Sequence, residues 1–403
     1  MPRLATRGLA LCLALCLVGA CGGGEDGPLP DASPIGVPGT YAIAGVVRYE
    51  DQPPLSSGAL GPIAPKLSRG VSVAAIAEAD GATLAMGVTG DDGSYTLSFD
   101  AVGGQPIHIL AVASSTLPAR PIAVQHIDSN TGAPGLLHGF GGATFAAGVD
   151  PTSDVLVTVS SGEAGAFNIF DELVNVMDRV RVTYAEPAPI PLTAFWQVGN
   201  DDGTYYTDHS MHLLGAADDD DGFDDTVILH ESGHYIEDVE GRSDSPGGGH
   251  DGGVTDPRLA WSEGFATYWA MAVRGAPIYM DSNAGGGFSF DADSAVTKAQ
   301  PAGALSQKIS EDMVAEILWD LGDGGAGDDD LFATGAHDPV LRVQSLYLKT
   351  TALRNVGTVG VDLVDWLDGW FVTNGLTSCD GTRSILTTHT FPYDFADPGS
   401  SCP

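Results

Sequence analysis

Two histidines four residues apart, His230 and His234, bracket a glutamate, Glu231, in the run HESGH. On a helix that spacing puts both imidazoles on one face, one turn apart, where both reach a single tetrahedral zinc ion. Glu231 lies about 100° round the same helix. It is too far round to bind that metal, yet close enough to a water on it to take a proton as the water attacks a carbonyl. Two ligands do not hold a catalytic zinc, so a third must come from elsewhere.

A local third ligand would need glycine and then histidine at fixed steps beyond His234, but Glu237 and Glu240 stand there. His250, in SPGGGHDGG, is one candidate, carried by a glycine-rich loop with nothing in the sequence to fix its geometry. Glu263, in TDPRLAWSEGFATYWAMAVRG, is another, and its surroundings read as a bounded helix. Asp256 is the expected N-cap, Pro257 suits the first helical position, and Gly275 ends the helix. Gly264 permits close helix approach. Thr267, one turn beyond Glu263, is a candidate hydrogen-bond partner for a ligand.

HESGH followed by WSEGFATYWA resembles the gluzincin metallopeptidases over roughly residues 195–279. The resemblance implies His230, His234 and Glu263 as zinc ligands and Glu231 as general base. It also implies that LTAFWQV or SMHLLGA forms the sheet edge along which an extended peptide pairs. The second motif is closest to the glutamate helix of aminopeptidase N-like enzymes. Ser262 stands where those often have asparagine, and no Gly-x-Met-Glu-Asn signature is present. The expectation is therefore an endopeptidase. Peptide hydrolysis also needs a donor for the oxyanion, and Tyr279, His337 and Tyr347 are all candidates. SEDMVAEILWDLGDG resembles a helix found downstream in other exported bacterial zincins, with Ser310 as N-cap and Ile309 and Val314 as a staple. Its stripe of Met313, Val314, Ile317, Leu318 and Leu321 reads as packing, with Glu316 and Asp320 as lesser pocket candidates.

These residues need a scaffold. From Tyr41 to about Ser160 the pattern has period 2, in YAIAGVVRY, GVSVAAIAE, ATLAMGVT, SYTLSF, PIHILAVA and DVLVTVS. Short strands at this spacing predict an all-β sandwich. GVVRYED, VSVAAIAE and TGDDGSYTLSF resemble the carboxypeptidase regulatory-like (transthyretin-like) module, which implies a spacing, folding or protein- or carbohydrate-contact role. His108, His126 and His138 are scattered and read as structural or exposed. Near Gly162 the period becomes helical, with Phe167, Phe170, Leu173, Val174, Met177 and Val180 on one face. Helix, strands and helix follow in order, as in an α+β, zincin-like fold. The expected division is 1–20 signal peptide, 21–40 flexible tether, 41–161 sandwich and 162–403 metallopeptidase domain.

Arg3 and Arg7 precede the apolar run LALCLALCLVGA, too short to span a bilayer and of signal-peptide length. LVGAC resembles the bacterial lipoprotein cleavage box, which implies lipid on Cys21 and attachment to the cell envelope, with secretion as the alternative. Cys379 and Cys402 then remain as an even pair in an exported chain, where a disulfide is the default. A formal net charge of −36 over 403 residues excludes nucleic acid as a natural partner and repels anionic headgroups, so membrane contact is expected through the lipid anchor only. AADDDDGFDD and GDGGAGDDD concentrate carboxylates that either are solvated or wrap calcium. Two other functions compete with a zinc peptidase. One is a non-catalytic surface lipoprotein whose β-module does the binding; the other is a structural zinc protein. The intact Glu231 and a three-ligand set argue against both.

Overall fold

The computed structural model describes residues 35–127, 134–298, 309–324, 334–374 and 379–393. The signal and tether segments with Cys21, most of the second acidic loop and Cys402 lie outside them. Among the described residues the fold is mixed α/β and multidomain, with several β-sheets and seven α-helices.

Every period-2 run forms a strand. Pro38–Asp51 buries Tyr41, Ile43, Val47 and Tyr49 at alternate or near-alternate positions. It pairs antiparallel with Ser94–Val102 through its first half and with Ala64–Leu67 at its end, and parallel with Val155–Val157. A second sheet is centred on Ser72–Ala77, between Thr83–Val88 and Pro106–Val112. The GDDGSY turn works as its residues dictate: Gly93 takes φ 70°, and Asp92 accepts a hydrogen bond from the Ser94 backbone N–H at 3.0 Å.

The third sheet borders the site groove. Its order is Tyr205–Thr207, Ser210–His212, Leu192–Phe195, Ile122–Ile127, Pro134–Leu137. Two of these strands precede residue 162, so the sheet crosses the expected division of the chain. The expectation for the substrate edge is corrected. Leu192–Phe195 runs parallel to a neighbour on each side, and Ser210–His212 is also flanked on both sides. Neither has free backbone groups in a row; the edge beside the site is Tyr205–Thr207.

Helix α1, Ala164–Thr183, buries its entire predicted apolar face. Helix α2, Asp225–Val239, carries HESGH, and α3, Pro257–Arg274, carries Glu263. α4, Glu311–Gly322, packs on α3; α5 (Asp338–Leu341), α6 (Leu363–Asn374) and α7 (Cys379–Thr388) complete the set. The caps of α3 hold as read: Asp256 accepts from the Arg258 N–H, and Gly275 ends the helix at φ 67°. Ser310 likewise caps α4. Helix α2 is capped differently. Asp224 sits at the N-cap position, but its carboxylate accepts from the Ser282 backbone N–H and hydroxyl rather than from its own helix.

Candidate metal centre

Glycine sets how closely the two site helices approach. A Cβ on Gly233 would stand 2.5 Å from the Ala266 Cα, so only glycine lets α2 lie this near α3. Gly264 does the same toward α4, where a Cβ would fall 2.5 Å from the Glu311 carbonyl oxygen. The consequence is a cluster around one atom, the Oε2 of Glu263. His230 Nε2 lies 3.2 Å from it and His234 Nε2 3.3 Å. Ligand atoms bound to a tetrahedral zinc at about 2.0–2.2 Å stand about 3.4 Å from one another. Two imidazole nitrogens and a carboxylate oxygen at this spacing fit zinc in both donor type and separation.

The other ring nitrogens face protein oxygens. His230 Nδ1 is 3.1 Å from Thr267 Oγ1, the expected partner. His234 Nδ1 is 3.2 Å from Glu237 Oε2 and 3.3 Å from Ser262 Oγ, and Ser262 donates to Glu237 at 2.6 Å. Glu237 thus orients the His234 imidazole. So does Ser262, at the place where the resemblance departs from its family. Burial raises the Glu263 carboxyl, but the bonds from His230 and His234 outweigh it and hold the group well below the usual range.

Glu231 is 6% exposed, and its Oε2 has no hydrogen-bond partner. Burial raises its pKa against the lowering effect of His230 and His234. A raised carboxyl with a free buried oxygen is suited to accept and return a proton. Glu231 and His230 line a cavity of about 450 Å³ that Asp219, Asp221 and Asp281 also line. These acids come from the first Asp-rich loop and from strand Ile278–Asp281, and they carry oxygens within 4.8 Å of one another. Burial lifts Asp221 to about 8 and Asp281 to about 6. A second groove runs from His234 and Glu263 to the edge strand Tyr205–Thr207.

Of the oxyanion candidates, the structure brings only Tyr279 to the cavity, its ring centroid 5.9 Å from that of His230. His337 packs on Trp319 and bonds the Tyr268 hydroxyl, and Tyr347 packs against Gly369. Glu316 accepts from Thr297, and Asp320 pairs with His389, so both are internal supports. His250, left without a fixed position by its sequence, reaches the cluster: its Nε2 lies 3.4 Å from Glu263 Oε2 and its Nδ1 3.1 Å from Glu311 Oε2. Of the three scattered histidines, His108 pairs with Glu78 near the surface. His138 is fully buried, with one nitrogen on Glu163 and the other on the Trp196 carbonyl, and the His126 ring lies tilted against it, centroids 3.6 Å apart.

The sequence pattern of the mycolysin C-terminal domain matches residues 184–390, just over half of the chain and all of this centre. No curated protein matches. Among solved structures, a 9R-lipoxygenase from Cyanothece is 12% identical over 37% of this chain and 25% of its own, with a TM-score of 0.17. The major plantain pollen allergen is 18% identical over 30% of this chain and 92% of its own, also at 0.17. At those scores neither likeness bears on the fold.

Proposed function

This chain belongs to the mycolysin C-terminal domain family, a domain of zinc metallopeptidases, and from that we infer that it is an exported zinc endopeptidase of gluzincin type. The observation that carries the reading is the convergence of His230, His234 and Glu263 beside a buried, unpartnered Glu231 oxygen. Bound there, zinc would supply the Lewis acidity that makes water a nucleophile at neutral pH. The chain's own residues do the rest. Thr267 and Glu237 hold the two imidazoles in orientation. An extended peptide pairs with the edge strand Tyr205–Thr207, which the groove joins to His234 and Glu263. Glu231 Oε2 takes the proton from the attacking water and hands it to the leaving amine. Burial keeps the Tyr279 phenol protonated, so it is the donor we assign to the substrate's carbonyl oxygen as charge develops there.

A basic side chain on the substrate would draw the protons off the cavity's raised aspartates and pair with them, and a calcium ion bound by Asp219, Asp221 and Asp281 would be its competitor. The two sheets built on Pro38–Asp51 and Ser72–Ala77 would act as a sandwich support, and residues 1–21 would direct export and lipid attachment through Cys21. In the competing, non-catalytic reading the zincin-like fold is a scaffold. The free buried oxygen of Glu231 favours the enzyme.

The test is cleavage of unfolded casein by the zinc-loaded chain beside Glu231→Gln. Chelator-sensitive cleavage is expected, with the variant still binding zinc but losing at least about 100-fold in rate. Zinc bound with no cleavage of casein or of a peptide library by the parent protein would refute the peptidase reading.

A further inference from the structure

The hairpin of Ile278–Asp281 and Phe288–Asp291 gives one face to the cavity beside the metal centre. Alternate residues of a strand share a face, so Tyr279 and Asp281 stand together, about 7 Å apart along the strand. Across the ladder Tyr279 pairs with Phe290 and Asp281 with Phe288, and all four residues line the cavity. Leu214 and Val227 add aliphatic surface. The cavity thus has apolar walls in which an acid is set at a fixed register.

Seven carboxylates line this cavity and, among the described residues, no Lys or Arg does. Asp219 and Asp281 each keep a buried oxygen without a hydrogen-bond partner, and Asp221, almost fully buried, accepts from the Thr204 hydroxyl. Burial is the first cause that pushes Asp221 up to about 8 and Asp281 to about 6, with the charges of neighbouring aspartates adding to it. A cation among them would restore the ionised forms. Lysine and arginine fit such a place, because each lays an apolar stem along rings and aliphatic groups and carries its charge at the tip. A calcium ion would use the three aspartates but not the aromatic walls.

The cavity and the groove along the edge strand share three lining residues, Thr204, Glu231 and His250. A peptide paired with Tyr205–Thr207 therefore meets the cavity at the general base, and the side chain that enters it belongs to a residue next to the bond that is cut. We propose that this cavity is the subsite for a lysine or arginine adjoining the scissile bond, with Asp221 and Asp281 as the residues that select it. This rests on the peptidase reading above and names its substrate class. The chain's formal charge of −36 works in the same direction, drawing cationic peptides toward the site.

The experiment digests a random-sequence peptide mixture with the zinc-loaded full-length protein and maps the bonds cut. It then measures kcat/KM on two peptides that differ only in lysine or norleucine at the mapped position. Cuts should cluster at one side of Lys and Arg, with the lysine peptide favoured about 10- to 100-fold. In Asp221→Asn, and separately in Asp281→Asn, that ratio should fall toward one, with zinc content and a cooperative melt showing that each variant is folded. Cuts made without regard to charge, or a lysine preference that survives both substitutions, would overturn the proposal and leave the peptidase reading intact. Calcium bound by the parent and lost in both variants, with the preference kept, would give the three aspartates to that ion instead. No cleavage of any peptide by the zinc-loaded parent sinks the peptidase reading and the proposal together.

Discussion

Asp221 shows how one side chain ties the cavity to pH. It is 4% exposed, and burial is the main cause that lifts its carboxyl to about 8, assisted by the charges of Asp281 and Asp224. An unfolded aspartate titrates near 4. The folded state therefore holds a proton that the unfolded state gives up, so the stability it contributes is present below about pH 4 and is lost as pH rises toward 8. In the metal-free protein, Asp221→Asn should remove that slope and gain about 1–3 kcal/mol at pH 8 with little change at pH 4. Urea unfolding at the two pH values measures it. Equal shifts at both would show that Asp221 stays ionised in the folded protein.

Helix α2 meets α3 through glycine, and this contact places Glu263 beside the imidazoles of His230 and His234. HESGH reads as a metal motif, but the glycine inside it is there for packing: Gly233 faces the Ala266 backbone with no room for a methyl group. Gly233→Ala should force the helices apart, cost about 1–3 kcal/mol, and move Glu263 off the two imidazoles. The expected signature is a lower melting temperature together with weaker zinc binding. A drop in stability with zinc affinity intact would show that the pair adjusts elsewhere. The edge strand teaches the opposite lesson. LTAF and SMHL look alike as short apolar runs, and no pattern in them tells a central strand from an edge one. Their neighbours decide that, and those neighbours include a strand some seventy residues earlier in the chain.

The molecule is joined across the point where its texture changes. Strand Ile122–Ile127 lies parallel to Leu192–Phe195 within the sheet whose edge strand Tyr205–Thr207 borders the site groove. Lys66 lies 3.2 Å from Glu172, and Arg69 bonds Asp171 at 2.7 Å, fastening the first sheet to α1. A fragment of residues 162–403 therefore lacks a strand beside the buried Leu192 and Ala194. It should aggregate and fail to retain zinc, whereas residues 35–403 should fold and hold it. Gel filtration with metal analysis of both fragments checks this, and a soluble, zinc-binding 162–403 would contradict it.

The sequence by itself determined what depends on neighbours along the chain. The one-turn spacing of His230 and His234, the caps at Asp256, Gly275 and Ser310, the buried face of α1 and the period-2 strands all follow from local geometry. Glu263 was legible because it rides a helix with both ends marked. Only the tertiary structure decided the rest. Glu237, Glu311 and Asp281 look like ordinary acids in an acidic chain, and His250 like a loop residue. Their places around the cavity and grooves arise from contacts between segments far apart in sequence, and the cost of burying charge makes such contacts specific without leaving any periodic mark.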